Sequence, residues 1–420
     1  MSNPKNIDIA IVGAGAAGLM AGIRAGRAAQ ERGVPLRITA FDGARKIGAK
    51  ILVAGGGRCN VTHDHVTERE YAGGSRHAVR NVLRRFDVRQ TVAFFRDLDV
   101  RLKREDTGKL FPVTDNARTV LDALVRASAD AGVKIRHPAR IERVRRTEDG
   151  FVVEGEWGAV ASRRLILASG GMALPKTGSD GGGYTLARAL GHTITPHVFP
   201  ALVPLILDPK CILRTLAGVT VPARIELRSG TGRRLQSFTD STLCTHFGLS
   251  GPSVMDISRY FTAARFDDPA AHLVACWLPE TDRDAADVAL QELGKRSVGR
   301  WLRERLPDRL AAALCTAGGV EPGTAGRDLG RDARRSLLDV IFMFPLPVTA
   351  DRGFTHAEVT AGGVPLDQVK IASMVSKRCD GLYLCGEICD VDGRIGGYNF
   401  QWAWASGHVA GGSAGASLDV

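Results

Sequence analysis

The 420-residue sequence lacks several features that would assign it to common classes of protein. It has no run of about 18 apolar residues, so no transmembrane helix is indicated. The N-terminus leads straight into a strand-like segment, without the charged and apolar regions of a secretory signal. The eight cysteines are scattered without CxxC spacing, and neither a metal site nor a disulfide framework is indicated. We therefore expect a soluble, cytoplasmic protein with no membrane partner.

The sequence also lacks a concentrated basic segment, although its net charge is +11. Arginines greatly outnumber lysines, are spread along the chain and alternate with acids, as in VRNVLRRFDVRQ and RDLGRDARRSLLDV. This distribution is typical of solvated helix faces rather than of a dedicated nucleic-acid surface. We expect a small-molecule substrate and no nucleic-acid partner. The oligomeric state is left open.

A glycine-rich motif near the N-terminus predicts a dinucleotide site. The apolar run Ile7–Val12 is followed by Gly13-Ala14-Gly15-Ala16-Ala17-Gly18 and then by a helix of small residues. Strand, tight turn and helix in this order are typical of a fold that binds pyrophosphate at a helix N-terminus. A second strand, Leu36–Phe41, ends in Asp42, at the spacing where a carboxylate accepts hydrogen bonds from ribose hydroxyls.

A second glycine-rich segment near the C-terminus indicates that the dinucleotide is a flavin. The strand-like Leu382–Cys385 is followed by Gly386 and Glu387, whose carboxylate suits the ribityl hydroxyls. The segment Gly396–Asn399 opens a last helix, whose positive end suits the pyrimidine ring of the flavin. The alternative is that these glycines only turn the chain into a helix. That alternative leaves the polar residues Glu387, Asp392 and Asn399 unexplained.

The length of the chain exceeds what one hydrophobic core usually supports, and its composition changes near Thr195. We predict an α/β fold with a discontinuous Rossmann-like FAD-binding domain, formed by residues 1–194 and 351–420. Alternating apolar runs predict an inserted small β-barrel or sandwich at 195–280, and helical patterns follow at 281–350. A second GxGxxG motif after a strand is absent. NAD(P)H would therefore act only as a transient electron donor.

As a set, four segments resemble the YhiN/BaiN-like family of bacterial FAD-dependent oxidoreductases, also called aminoacetone oxidase-like flavoproteins. They are KIGAKILVAGGGRCN (46–60), ASGGMALPKTGSDG (168–181), CTHFGLSGPSVMDISR (244–259), and TAGGV (360–364) with GEICDVDGRIGGYNFQWAWASGHVAG (386–411). The resemblance implies a three-layer FAD-binding domain of the glutathione-reductase type that carries an inserted β-barrel and a small helical subdomain. It also implies hydride transfer between the flavin and a small organic substrate such as a conjugated ketone.

The motifs and the resemblance together predict the residues that bind FAD. They are Gly13, Gly15, Ala16, Ala17, Gly18, Asp42, Lys50, Gly56, Gly57, Arg58, Cys59, Asn60, Ile141, Ala168, Ser169, Gly170, Gly386, Glu387, Asp392, Gly396, Gly397, Tyr398 and Asn399.

Two residues are candidates for catalysis, each with an ordinary structural alternative. His246 lies in a segment rich in glycine and serine and would donate a proton near neutral pH, or it is simply a turn histidine. Cys59 would exchange electrons with the flavin, or it packs beside the flavin. Disulfide reductases use two cysteines close together in sequence, and no second cysteine lies near Cys59. Two other functions stay open: a flavoprotein that modifies tRNA, and a non-catalytic FAD-binding sensor.

Overall fold

The computed structural model describes residues 5–418, and the chain forms two compact units. The first unit contains the residues up to Pro200 and those from Glu358 onward, and the second is Ala201–Ala357. The sequence predicted a division at 195 and 350. The further split of the insertion into a barrel and a helical subdomain stays a prediction, because strands and helices of this segment belong to one compact unit.

The strands are β1 (Lys5–Val12), β2 (Ile38–Phe41), β3 (Thr62–His63), β4 (Tyr71–Gly73), β5 (Leu102–Arg104), β6 (Lys109–Pro112), β7 (Val133–Arg136), β8 (Arg143–Thr147), β9 (Gly150–Gly155), β10 (Gly158–Leu167), β11 (Phe199–Ala201), β12 (Leu205–Leu207), β13 (Thr220–Arg228), β14 (Arg234–Cys244), β15 (Gly248–Ser250), β16 (His272–Cys276), β17 (Phe344–Leu346), β18 (Val348–Asp351), β19 (Val359–Ala361), β20 (Val369–Lys370), β21 (Val375–Ser376), β22 (Leu382–Leu384) and β23 (Val391–Gly393).

The α-helices are α1 (Ala16–Glu31), α2 (Ala49–Val53), α3 (Arg76–Leu83), α4 (Val88–Asp97), α5 (Ala117–Asp130), α6 (Gly182–Ala189), α7 (Pro252–Asp267), α8 (Arg283–Gln291), α9 (Val298–Arg303), α10 (Asp308–Ala317), α11 (Arg331–Phe342) and α12 (Tyr398–Ala416). Short 3-10 turns cover Ala54–Gly57, Glu68–Glu70, Pro175–Thr177, Ile212–Leu216, Gly326–Asp328, Leu366–Gln368 and Gly386–Ile388. Over residues 5–418, no helix is both long and apolar enough to span a membrane.

The first unit is built on a sheet in which β22, β10, β1, β2 and β7 lie side by side and run parallel. The apolar side chains of β1 that the sequence singled out, Ile9 and Ile11, are completely buried in it. Antiparallel strands extend the sheet: β20 and β21 beyond β22, and β8 and β9 beside β10. Because parallel strands end at the same edge, the loops after β1, β2, β10 and β22 come together there.

Glycines allow α1 and α12 to pack very closely in the first unit. A Cβ added at Gly411 would lie 2.0 Å from the carbonyl oxygen of Ala21, and one at Gly407 would lie 2.5 Å from that of Ala17. The same close approach recurs one turn later at Gly415. The first and last long helices of the chain therefore touch backbone to backbone, which fixes the two glycine-rich motifs relative to each other.

The described part of the second unit contains a seven-stranded antiparallel sheet in the order β17-β16-β13-β14-β15-β12-β18. The 16-residue helix α7 was not expected, because its segment was interpreted as part of a run of strands. The helix begins with Pro252 directly after Gly251, and its buried residues include Val254, Ile257 and Phe261, which recur every three or four positions. The helix was missed because its segment lies between runs of residues that are typical of strands.

Side-chain hydrogen bonds mark the start of two elements in the first unit. The Asn116 side chain accepts a hydrogen bond from the Arg118 backbone and so caps α5. Strand β8 begins at Arg143. Arg140, three residues earlier, binds Asp180 with its side chain at 2.6 and 3.0 Å, and its carbonyl accepts a bond from the Trp157 indole.

Candidate functional site

The predicted site residues of the first motif lie at the edge where the parallel strands end. Gly13 donates its backbone N–H to Phe41 of β2 at 2.8 Å, and Ala168 donates to Val12 of β1 at 2.9 Å. The loop after β1 therefore lies between the loops after β2 and β10. A Cβ added at Gly13 would be 2.5 Å from the carbonyl oxygen of Ala168.

The start of α1 has the features of an anion site. Gly15 is its N-cap and Ala16 and Ala17 form its first turn, without a side chain to cap the N–H groups. A Cβ added at Gly15 would meet no atom of the described residues within 4 Å, so the backbone there is open to a ligand. Gly18 differs: its added Cβ would lie 1.9 Å from the Gly13 carbonyl oxygen. Unpaired N–H groups and the positive end of a helix bind phosphate.

Asp42 lies at the end of β2, where the spacing predicts it. One carboxylate oxygen accepts the N–H of Ala14 at 2.8 Å, and the other accepts that of Ala44 at 2.8 Å. Each oxygen keeps a second lone pair, so the anchored carboxylate can still bind ribose hydroxyls. Ile141 is buried in the segment that leads into β8.

The loop after β10 contains three predicted residues. Ala168 is buried, and Gly170 has a φ of +75°, which favours glycine. Ser169 packs against the start of α6, where a Cβ added at Gly183 would lie 1.8 Å from the serine oxygen. This loop is therefore held tightly beside the first motif.

The segment GGGRCN has an unusual backbone. Gly55, Gly56, Gly57 and Cys59 all have φ between 58° and 85°. A Cβ added at Gly56 would meet nothing within 4 Å among residues 5–418, so a ligand can approach this backbone. Asn60 is 8% exposed, and its carbonyl oxygen is buried with no hydrogen-bond partner in the described chain. Such a buried acceptor is costly unless a ligand supplies a donor.

Cys59 and Arg58 differ in what they offer a flavin. Cys59 is completely buried, and burial raises the pKa of its thiol to about 12. It is therefore protonated at neutral pH, which disfavours redox exchange by a thiolate. Arg58 reaches Glu105 at 2.6 Å and lies 4.0 Å above the Phe111 ring, and its charge is balanced by that carboxylate.

A network of polar contacts forms around Glu387, in the turn after β22. One carboxylate oxygen accepts a bond from Lys50 of α2 at 2.5 Å, and the other accepts the N–H of Thr360 in β19 at 3.0 Å. The Thr360 hydroxyl in turn accepts the N–H groups of Met172 and Ala173 at 2.7 and 2.9 Å. The helix α2, the strand β19 and the loop after β10 are therefore linked through this carboxylate.

The closing motif leads into α12, whose first turn has no side-chain cap among the described residues, and hydrogen bonds within the motif hold its shape. Gly397, at a φ of +94°, is the N-cap of α12 and follows Gly396 at +130°; no side chain caps the helix. Tyr398 stacks on His63 with ring centroids 5.0 Å apart. Asn399 exchanges hydrogen bonds with the backbone of Gly393 at 2.8 and 2.9 Å.

Asn399 therefore holds the turn that precedes α12, a role that the motif alone does not reveal. Asp392 is buried in β23, where it pairs with Ala72 of β4.

Residues of α12 that sequence reasoning did not assign to the site hold Gly386 in place. The Ser406 hydroxyl accepts the Gly386 N–H at 2.9 Å, and the Trp402 indole donates to the Gly386 carbonyl at 3.0 Å. Trp402 and Trp404 are both buried in the core. The spacing of Trp402 and Ser406 on a helix matches no sequence motif that would predict these contacts with Gly386.

His246 belongs to the second unit. It is exposed at the tip of the turn between β14 and β15, closed by hydrogen bonds between Thr245 and Gly248. Arg214 donates to the His246 carbonyl at 2.9 Å, and Arg352 lies 4.5 Å above the neighbouring Phe247 ring. Its catalytic role stays a prediction.

The residues of the first unit fit FAD. The glycine-lined start of α1 suits the pyrophosphate, the anchored Asp42 the ribose, and the start of α12, which no side chain of the described residues caps, the flavin ring. The buried, unsatisfied oxygen of Asn60 is the kind of group that a bound cofactor satisfies. Fold and site together define a Rossmann-like FAD-binding protein, which confirms the predicted fold class.

Comparison with known proteins identifies the family. The model described as HI0933-like protein Rossmann domain matches residues 7–413, and the chain belongs to this family. The resemblance predicted from the four segments is thereby confirmed. Family and fold make the protein an FAD-dependent oxidoreductase, and the alternative of a non-catalytic sensor is set aside.

Two relatives and one solved structure illustrate this similarity. A 3-dehydro-bile acid delta(4,6)-reductase of Clostridium scindens is 33% identical over 97% of this chain and 98% of its own length. A ribosomal RNA dihydrouridine synthase of Escherichia coli is 31% identical over 96% of each chain. The 3-ketosteroid delta1-dehydrogenase of Sterolibacterium denitrificans is 14% identical, covers 99% of this chain and 100% of its own, and has a TM-score of 0.53, so it shares the fold.

Proposed function

We propose that the protein reduces a carbon–carbon double bond conjugated with a carbonyl group, on a small organic substrate such as a conjugated ketone. The observation that carries this proposal is the similarity, over nearly the whole chain, to a relative whose name specifies reduction of double bonds in a 3-oxo bile acid. Such a bond accepts hydride because the negative charge that develops is delocalised onto the carbonyl oxygen.

Bound FAD would supply the hydride-transfer chemistry, and the protein would supply position and charge. The N–H groups at the start of α1 would bind the pyrophosphate, and Asp42 the ribose. Glu387, held by Lys50 and Thr360, would bind the ribityl hydroxyls. The positive end of α12 at Gly397 would stabilise negative charge on the pyrimidine ring.

We propose His246 as the donor of the proton that completes the reduction, and NAD(P)H as the source of electrons. The sequence offers one GxGxxG motif, which the FAD site uses, so the nicotinamide would bind only transiently. A His246→Gln variant should keep flavin reduction by NAD(P)H and lose reduction of the substrate. Equal rates in His246→Gln and the wild type would contradict the assignment.

The test uses the purified holoprotein without oxygen. The flavin is reduced by NADPH or NADH and mixed with a 3-oxo steroid that carries a conjugated double bond, and flavin absorbance is recorded. We expect rapid reoxidation and a product heavier by two hydrogens. The matched control is the same steroid with the double bond saturated, which should not reoxidise the flavin. Equal rates with both steroids would contradict the proposal.

A second candidate is reduction of uridine in RNA, the general class of the tRNA-modifying alternative. It is favoured by relatives in Escherichia coli and Haemophilus influenzae, 31% and 30% identical, that are named ribosomal RNA dihydrouridine synthases. The C5–C6 bond of uracil is also conjugated with a carbonyl, so the same flavin chemistry serves. Incubating the reduced holoprotein with ribosomal RNA and measuring dihydrouridine by mass spectrometry of nucleosides tests this candidate directly.

A further inference from the structure

A cleft in the first unit is lined by residues other than those assigned to FAD. It measures about 380 Å³ and lies between the end of α3 and the turn that follows β20. Its lining residues are Asn81, Arg84, Arg85, Ile371 and Ala372. None of these belongs to the motifs that form the predicted FAD site. The sequence segment VRNVLRRFDVRQ, interpreted above as a solvated helix face, supplies one wall.

The arginines of this cleft carry positive charge without a compensating carboxylate. Arg84 and Arg85 are exposed, and within the described chain neither side chain has a hydrogen-bond or ion-pair partner. Arg80, one turn earlier on α3, contrasts with them because it is paired with Glu68 at 2.5 Å. Lys370, which directly precedes the opposite wall, is also exposed.

Of the nearest acids along the chain, those beside α3 already accept hydrogen bonds with their carboxylates, and the carboxylate of one beside β20 accepts none in the described chain. Asp87, two residues after Arg85, caps α4 by accepting the Gln90 N–H at 2.9 Å. Glu70 accepts hydrogen bonds from Thr67 as part of a capping box. Asp367 lies on the turn before β20 and is exposed. The cleft itself is therefore lined by cationic, amide and aliphatic groups.

The distribution of charge over the first unit agrees with the cationic character of the cleft. The residues up to Pro200 and from Glu358 onward contain 36 basic and 27 acidic residues, whereas Ala201–Ala357 contains 20 and 18. Most of the net charge of +11 therefore lies on the first unit. A surplus of this kind attracts polyanions over the whole surface, and a cleft with unpaired arginines gives them a place to bind.

We propose that this cleft binds the phosphodiester backbone of RNA. Arg84 and Arg85 contact phosphate oxygens, Asn81 hydrogen-bonds a ribose or phosphate oxygen, and Ile371 with Ala372 forms an apolar floor for a sugar or base. Arginine is suited to phosphate because its planar guanidinium donates paired hydrogen bonds. This inference rests on the second candidate function, in which the substrate is a uridine in RNA.

The experiment measures binding of a fluorescein-labelled single-stranded oligouridine to the holoprotein by anisotropy, over a series of salt concentrations. In the Arg84→Gln, Arg85→Gln double variant we expect the Kd to rise about tenfold. The slope of log Kd against log salt concentration should fall by about 1.4, as expected for two lost phosphate contacts on a single strand. FAD content and the rate of flavin reduction by NADPH should not change.

The matched control is the Arg118→Gln, Arg188→Gln double variant. It removes two exposed helical arginines of the same unit whose side chains have no partner in the described chain. It loses the same charge, so a smaller effect here attributes the loss to the cleft. Equal loss of binding in both double variants would overturn the proposal, because charge alone would then explain it.

The remaining outcomes separate the cleft from the candidate function. Unchanged oligouridine binding in Arg84→Gln, Arg85→Gln overturns the cleft proposal, even if the wild type forms dihydrouridine in ribosomal RNA. Selective loss of reduction by NADPH, but not by NADH, overturns it in favour of a site for the 2′-phosphate of the nucleotide. If the variant weakens RNA binding and the wild type forms no dihydrouridine, the cleft proposal stands and the candidate function fails.

Discussion

Cys59 has a left-handed backbone conformation, with a φ of 62°, between a surface arginine and a buried asparagine. Glycines normally supply this conformation, and three of them precede it in the same loop. The cysteine side chain is small and apolar enough to fill the buried space at this position. Packing accounts for its place in the loop.

Replacing Cys59 by alanine should therefore leave the flavin chemistry nearly intact. Burial raises the pKa of the thiol to about 12, so no thiolate is present near neutral pH to attack or exchange electrons. We expect FAD reduction by NAD(P)H within about threefold of wild type. Alkylation of the native protein by iodoacetamide should label the half-buried Cys211 and Cys379 before Cys59. Loss of activity with unchanged FAD content would contradict this.

The sequence predicts where a site residue lies when a regular element and a fixed spacing determine its position. Asp42 lies at the end of β2 because a strand and a fixed spacing determine its position. Arg58 is different, since its partner Glu105 is 47 residues away and only the fold brings them together. The hydrogen bond between Asn399 and Gly393 depends on the conformation of one turn, which the sequence motif does not specify.

At the scale of elements, the turn from β1 to α1 contains glycines with two different physical roles. Gly15 borders open space, with a φ of −82° that any residue adopts, whereas Gly18 touches the backbone of Gly13. The GxGxxG pattern treats these positions alike, and the structure separates them. One glycine leaves room for a ligand and the other allows the helix to pack on the strand.

This difference gives opposite expectations for two alanine variants. Gly15→Ala should fold with an unchanged Tm of the apoprotein and bind FAD more weakly, because its methyl group occupies the space left for the cofactor. Gly18→Ala should lower the free energy of unfolding of the apoprotein by about 2–3 kcal/mol, because its methyl group collides with a backbone carbonyl. Thermal unfolding of the apoproteins and FAD titration check both. Equal apoprotein Tm values in the two variants would refute the distinction.

The packing of α1 on α12 makes a second prediction with a neighbouring control. Gly411→Ala should destabilise the protein by about 2–3 kcal/mol, because its Cβ would lie 2.0 Å from the Ala21 carbonyl oxygen. Gly412→Ala places its Cβ 3.4 Å from the flexible Arg24 side chain, and alanine favours the helix by up to about 1 kcal/mol. Denaturant unfolding should therefore rank Gly412→Ala above Gly411→Ala. The reverse order would contradict the helix contact.

Helices and strands with a strong apolar periodicity could be predicted from the sequence, whereas α7 could not. Alternating apolar residues indicated β13, β14 and β16, and the small-residue run after the first motif indicated α1. The helix α7 follows β15 after Gly251 alone and packs on β13 and β14, the strands that precede it in the chain. Its buried residues include the polar Ser253, Asp256 and Ser258 as well as apolar ones, which weakens the apolar pattern that would indicate a helix.

At the scale of the whole molecule, buried titratable groups define a pH range of greatest stability. On the alkaline side, burial raises the pKa of Cys59 and Cys389 to about 12 and that of Cys244 to about 11. The unfolded thiols ionise near 9, so the stability that these groups contribute is complete below pH 9. Above it, each thiol should lower the free energy of unfolding by about 1.4 kcal/mol per pH unit until its folded pKa is reached.

On the acid side, burial lowers the pKa of His408, which stacks on Phe86, to about 4. The unfolded imidazole binds a proton near 6.5, so the stability due to the neutral ring is complete above that pH and is lost as the pH falls toward 4. Between pH 6.5 and 5, the free energy of unfolding should fall less steeply in His408→Phe than in the wild type, by about 1.4 kcal/mol per pH unit. The phenylalanine keeps the ring stack on Phe86. The exposed His272→Phe should leave the decline unchanged. Urea unfolding at several pH values measures both, and equal slopes for wild type and His408→Phe would show that the buried ring does not control the acid limb.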